Sequence, residues 1–88
     1  MMEIKKGMVV RSSAGHDGGR FYVVLAVEGQ FAYIADGKLR QKERPKKKNV
    51  RHLAPTATML DIEALDTDQK IRRALWPFNY GDQGTVAI

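Results

Sequence analysis

The sequence predicts a mainly β protein, a small barrel of four or five antiparallel strands followed by one short C-terminal helix. Two observations lead to this fold class. Through residue 54, short runs of aromatic and β-branched residues alternate with tight turns, which is typical of small barrels. After Pro55, apolar residues recur at intervals of three and four, which indicates a helix. The 88 residues fit one domain, with the barrel at residues 1–56 and an extension at residues 57–88 packed on it.

The first two predicted strands flank a glycine-rich turn. Apolar residues 8–10 begin the first strand, and residues 20–28 form the second. Gly15, Gly18 and Gly19 tolerate positive φ, so the backbone can turn sharply between the strands. The hydrophobicity of the second strand is nearly continuous, which predicts that both of its faces are partly covered.

The third predicted strand spans residues 31–35, after a short turn at residues 28–30. Asp36 and Gly37 form the strongest hairpin signal in the chain, and residues 38–40 are predicted to begin the returning strand. Residues 41–49 are polar, basic and interrupted by Pro45, and we expect them to be exposed and mobile. Residues 50–53 are predicted to form a short closing strand that ends at Pro55.

The only substantial helix is predicted at residues 67–76. Residues 59–65 before it are predicted to form a helical turn or an irregular packed segment. Thr67 and Asp68 suit a helix start, Ile71 and Leu75 lie on one apolar stripe, and Pro77 stops the helix. We expect Trp76 and Phe78 to fasten the helix to the barrel. Residues 78–88 are expected to be weakly ordered, although residues 85–88 are compatible with a docked edge strand.

The glycine-rich turn and the strands around it resemble the KOW motif of ribosomal proteins and transcription elongation factors. The residues that fall on the motif are Gly15, His16, Asp17, Gly19, Arg20 and Val24. Gly18 stands where many members carry Lys, and Tyr22 where many carry a third Gly. Residues 35–56 resemble the second half of small KOW proteins of the large ribosomal subunit. The resemblance covers about three-fifths of the chain and implies an SH3-like barrel that binds RNA, with Gly15, Asp17 and Gly19 shaping the loop.

Positive charge is concentrated in the first part of the chain. Residues 1–53 hold twelve Lys and Arg against five Asp and Glu, a net charge of +7, whereas residues 54–88 hold three against five, a net charge of −2. This asymmetry points to a polyanionic partner. Lys and Arg neutralise phosphates and release condensed counterions. The alternative for such residues is a solvated face that only keeps the protein soluble.

Together with the resemblance, the charge pattern predicts a set of RNA-contacting residues. The expected partner is RNA, most plausibly ribosomal RNA, with ribosomal proteins as further partners. A protein-interaction module of the translation or transcription machinery is the second hypothesis, because barrels of this type also bind proteins. The predicted RNA-binding residues are Arg11, Ser13, His16, Arg20, Lys38, Arg40, Lys42, Arg44, Lys46, Lys47, Lys48 and Arg51.

Other kinds of site find little support in the sequence. The chain has no Cys, and His16 and His52 lack metal-ligand spacing, so neither a metal site nor a cofactor is expected. The sequence contains no nucleophile elbow, phosphate-binding loop or paired carboxylates. It therefore gives no indication of an enzyme or of a small-molecule substrate. Without an apolar run of membrane-spanning length or a signal peptide, we expect a cytoplasmic protein. Exposed aromatic residues stack on bases in single-strand binders, but in so small a barrel most aromatic residues are expected to form the core.

Overall fold

Five strands and one α-helix make up most of the regular structure in the described part of the chain. The computed structural model describes residues 3–13 and 19–81. The strands are β1 (Met8–Ser12), β2 (Phe21–Glu28), β3 (Phe31–Ala35), β4 (Lys46–Asn49) and β5 (Leu53–Met59). The helix α1 (Asp68–Trp76) follows, and 3₁₀ turns lie at Val50–His52 and Ile62–Ala64. A π-helical turn, Pro77–Gly81, directly continues α1.

All strand pairs are antiparallel and form one open sheet in the order β4-β3-β2-β1-β5. The predicted fold class is confirmed: the protein is mainly β, with five antiparallel strands and one short C-terminal helix. This arrangement is compatible with a small SH3-like barrel. No helix among the described residues is long and apolar enough to cross a bilayer.

The sheet buries side chains on both faces. We call one set the inner cluster, which contains Met8, Val10, Tyr22, Val24, Ala32, Ile34 and Leu53. The other set, the helix-side cluster, contains Val9, Val23, Leu65, Ile71 and Leu75. Because side chains alternate along a strand, neighbours such as Val9 and Val10 enter different clusters. The prediction that both faces of β2 are partly covered is therefore confirmed, since its first half is buried or partly buried and its last three residues are exposed.

The helix forms where the sequence predicts it and packs against the outside of the sheet. Thr67 is the N-cap, and its side-chain oxygen accepts a hydrogen bond from the N–H of Lys70 at 3.2 Å. Ile71 and Leu75 are buried, four residues apart on one face. The segment before the helix is irregular and packed, which is one of the two predicted alternatives. It contains the 3₁₀ turn Ile62–Ala64, which ends beside the buried Leu65.

The connection between β3 and β4 differs from the prediction. Residues 38–40 do not begin a returning strand, because the carboxylate of Asp36 accepts the backbone N–H groups of Lys38 and Arg40 at 2.9 and 2.8 Å. These donors are used locally and cannot enter a strand ladder. The returning strand is instead β4, so Lys46, Lys47 and Lys48 form an edge strand and not the mobile segment expected there. Lysine at an edge discourages pairing with another chain.

The closing strand also begins later and runs further than predicted. Val50–His52 forms a 3₁₀ turn, capped by the side chain of Asn49, which accepts the N–H of Arg51. Strand β5 then starts at Leu53 and passes through Pro55 to Met59, beyond the boundary expected at residue 56. Proline is tolerated there because β5 is the other edge of the sheet among the described strands, so none of them needs its missing N–H.

Candidate nucleic-acid interface

The structure describes all but one of the predicted RNA-binding residues. His16, and with it the loop residues Gly15 and Asp17, lies outside the described residues. Arg11, Ser13 and Arg20 lie where β1 leaves and β2 enters the sheet, and Arg51 lies in the 3₁₀ turn before β5. The remaining predicted residues lie in the β3–β4 connection (Lys38, Arg40, Lys42, Arg44) and on β4 (Lys46, Lys47, Lys48).

The end of the β1–β2 connection depends on Gly19. Its φ is +90°, and its N–H donates to the carbonyl of Ser12 at 2.8 Å. Gly19 therefore uses the positive φ that glycine tolerates, as expected for the turn. The guanidinium of Arg11, an exposed residue, lies beside this turn, within 3.8 Å of where a Cβ on Gly19 would be. Arg11 thus lies outside the core and is available at the surface.

Ser13 has a structural partner. Both its N–H and its hydroxyl donate to the carbonyl of His52 at 2.9 Å, which joins the end of β1 to the turn before β5. With its proton used in this way, the Ser13 hydroxyl can still accept a hydrogen bond but is less suited to donate one to a phosphate.

Arg20, predicted as a phosphate contact, is bound to a buried carboxylate. Asp36 is only 2% exposed, and its Oδ2 accepts from Nη2 of Arg20 at 2.9 Å, while its Oδ1 accepts the two backbone N–H groups described above. Burial acts to lower the pKa of Arg20, but hydrogen bonds to Tyr80 and Asp36 outweigh it, so the pKa is raised. Arg20 therefore joins β2 to the β3–β4 connection, and its charge is largely matched within the protein. The sequence identified Asp36 only as a turn residue.

The β3–β4 connection holds its other basic residues in two environments. Lys38, Arg40 and Arg44 are exposed. Lys42 is partly buried, and its N–H donates to Oδ1 of Asp68 at 2.6 Å, at the start of α1. Asp66 lies close enough that Lys42 contributes to its lowered pKa, after the larger effect of Lys70. Lys42 thus lies beside two acidic residues at the start of α1, whereas the other three basic residues are exposed.

The three lysines of β4 divide between the two faces of the sheet. Lys46 and Lys48 lie opposite Ile34 and Ala32, on the face of the inner cluster, and both are partly buried. Lys47 is opposite Tyr33 on the other face and exposed, and its ammonium group lies 4.6 Å from the centre of the Phe31 ring. The strand therefore presents cations along a rigid edge.

The aromatic residues after α1 are arranged differently from the prediction. Phe78 does fasten this region to the sheet, because its ring lies 5.4 Å from the ring of Phe21. Trp76 does not fasten this region to the sheet. Its side chain is 52% exposed and contacts Tyr80, with the ring centres 4.4 Å apart. The helical spacing of the sequence contained a signal that Trp76 is exposed. Trp76 follows Arg72 by four residues and Arg73 by three, so it shares the exposed face of these two residues.

A second surface feature is an open, mostly apolar groove of about 440 Å³ at the end of the sheet near the β2–β3 turn. Its walls include Ile4, Val27, Val50, Leu53 and Pro55, with Glu3 and Arg51 at its margin. Of the predicted RNA-binding residues that the structure describes, only Arg51 lines it. The basic surface and this groove are therefore largely separate.

The described residues bring no metal-binding cluster together. No cluster of three or more His, Asp and Glu side chains in residues 3–13 and 19–81 could hold a metal ion. A search against models of known protein families found no match for this chain. The KOW resemblance therefore stays a prediction that rests on the residues of the loop and the basic stretch.

Proposed function

We propose that the protein binds RNA, ribosomal RNA being the foremost candidate, through the basic surface formed by the β3–β4 connection and strand β4. One observation carries the proposal: eight basic residues and a single acid occupy residues 38–51, and this stretch wraps one edge of the sheet. Lys38, Arg40, Arg44, Lys47 and Arg51 of this stretch are exposed.

The mechanism is phosphate recognition on a preformed scaffold. Strand pairing with β3 and the hydrogen bonds of Asp36 fix the backbone that carries these side chains, so little ordering is needed on binding. Phosphate contacts position a protein on nucleic acid without reading its sequence. The basic surface should therefore bind RNAs of different sequence with similar affinity.

The test compares two double variants of equal charge change. Arg44→Gln/Lys47→Gln removes two exposed cations from the proposed surface, and Lys5→Gln/Lys6→Gln removes two exposed cations ahead of β1. Binding of fluorescently labelled RNA is followed by anisotropy at graded salt. The first variant should make the slope of log affinity against log salt less negative by about 0.7–0.9 for each phosphate that is no longer bound, equally for all RNAs. The control should bind like the unmodified protein.

Protein interaction is the second candidate function, and the apolar groove beside Val27 and Pro55 is the observation that favours it. Binding in such a groove depends on apolar burial and weakens little with salt. Equal salt slopes for the unmodified protein and the Arg44→Gln/Lys47→Gln variant, or no RNA binding at all, would favour this alternative.

A further inference from the structure

We propose that Trp76 and Tyr80 form a stacking platform for an unpaired nucleobase. The proposal rests on the RNA-binding function above and adds a second mode of contact to it. Trp76 is 52% exposed, although a tryptophan in a small protein usually contributes to the core. Its ring packs on Tyr80 at 4.4 Å and 42°, which leaves much of the indole open to solvent.

The platform is held in position by the turn that carries it. The side-chain amide of Asn79 accepts the N–H of Phe21 at 2.9 Å and donates to the carbonyl of Phe21 at 3.2 Å. The ring of Phe78 packs on the ring of Phe21. These contacts fix the π-helical turn Pro77–Gly81 against the start of β2, so Tyr80 has a defined place beneath Trp76. A preorganised aromatic surface loses little conformational entropy when a ligand stacks on it.

Cations surround the platform. The ammonium group of Lys38 lies 5.8 Å from the centre of the Tyr80 ring, and Arg20 lies close enough to Tyr80 to lower its pKa. Arg72 and Arg73 are exposed on the same face of α1 as Trp76. Lys38 also belongs to the proposed RNA-binding surface. An RNA strand bound to that surface therefore lies close to Trp76. An anionic backbone beside a stacked ring matches this arrangement, whereas a cationic protein side chain would be repelled by it.

The ligand must be an unpaired base. In a duplex, both faces of a base are covered by its neighbours, and only loops, bulges, ends and single strands leave a face open. Every base has such a face, so stacking tolerates any sequence. The platform therefore predicts a preference for single-stranded or looped RNA over a continuous duplex.

Trp76 is the single tryptophan of the chain, so its fluorescence reports on this platform alone. The experiment titrates the full protein with a single-stranded oligoribonucleotide, a duplex of the same length and an abasic strand of the same charge. Binding is measured independently by anisotropy of a label on the RNA. We expect the single strand to quench Trp76, and the duplex and abasic strand to leave it largely unchanged.

Variants separate stacking from charge. Trp76→Leu should lose about tenfold in affinity for the single strand but not for the abasic strand, while Trp76→Phe should lose less. Met59→Ala, a change at another exposed apolar residue that lies outside the proposed RNA-binding surface, serves as the control and should bind normally. If the single strand binds by anisotropy without quenching, or if Trp76→Leu binds as tightly as the unmodified protein, the platform is overturned while RNA binding stands. If no RNA binds by anisotropy, the proposed function itself fails.

Discussion

Gly19 and Gly37 show how the same positive φ can serve two purposes. Gly19 has a φ of +90°, and among the described residues only the end of the Arg11 side chain lies near where its Cβ would stand. Gly37 has a φ of +78°, but a Cβ there would collide with the backbone of α1, at the carbonyl oxygen of Asp68 and the amide nitrogen of Arg72. Gly19 is thus required for its conformation, and Gly37 for its conformation and for the close approach of the helix.

Substitution at these two glycines should have unequal effects. Gly19→Val should lower the free energy of unfolding by at least about 1 kcal/mol, because a β-branched residue is strained at positive φ. Gly37→Ala should cost more than Gly19→Ala, because alanine there also displaces α1. Urea denaturation followed by circular dichroism measures both. Equal losses for the two alanine variants would contradict the close approach at Gly37.

The β3–β4 connection is organised by one buried carboxylate. Asp36 holds Lys38 and Arg40 by their backbone and Arg20 by its side chain, and Gly37 beside it contacts α1. The connection therefore has a fixed shape although it contains no regular structure. The buried carboxylate of Asp36 thus holds the backbone from which the exposed basic residues extend. The same carboxylate balances the charge of Arg20.

Replacing Asp36 should destabilise the protein and disturb this connection. Asp36→Ala leaves two backbone N–H groups and the partly buried Arg20 without their acceptor, so we expect a loss of at least about 2 kcal/mol in the free energy of unfolding. Asp36→Asn retains an acceptor oxygen and should lose less. Glu43→Ala, in the same connection, is the control for the urea titration. A loss no larger than that of the control would show that other contacts hold the connection.

At the scale of the whole molecule, contacts between the segment after α1 and the start of β2 hold the end of the described chain against the sheet. Phe78 and Asn79 contact Phe21, and Tyr80 contacts Arg20, although these residues lie far apart in the sequence. The hydrogen bond from Arg20 lowers the pKa of Tyr80 from 10.0, with further contributions from the charges of Arg20 and Lys38, while partial burial opposes them. By contrast, the hydrogen bond to Glu28 raises the pKa of Tyr33.

These opposite shifts predict that Tyr80 ionises before Tyr33 in an alkaline titration. Because the fold lowers the pKa of Tyr80, its ionisation stabilises the native state. That contribution is complete above the unfolded pKa of about 10 and is lost as the pH falls through the native pKa. Tyrosinate absorbance of the native protein should show an early phase that Tyr80→Phe removes. An unchanged titration curve for that variant would contradict the contact with Arg20.

Local patterns in the sequence account for most of the elements. The aromatic and β-branched run before Glu28, the short strand after it and the apolar stripe of Ile71 and Leu75 all appear where predicted, because periodicity and turn residues act over a few neighbouring positions. The charge asymmetry is likewise a property of the sequence. From these alone, the mainly β fold with its terminal helix follows.

Other features depend on residues that meet only after folding. Lys46, Lys47 and Lys48 read as an exposed mobile run, yet they pair with β3, because the edge of a sheet provides hydrogen-bond partners that a local pattern does not reveal. Asp36 reads as a turn residue, and its burial against Arg20 follows from the approach of two distant segments. Trp76 reads as a helix anchor, but Phe78 occupies the contact with Phe21 and leaves the indole exposed. The pairing of β4, the burial of Asp36 and the contact of Phe78 with Phe21 were settled by long-range packing, since the partner in each case is absent from the local sequence.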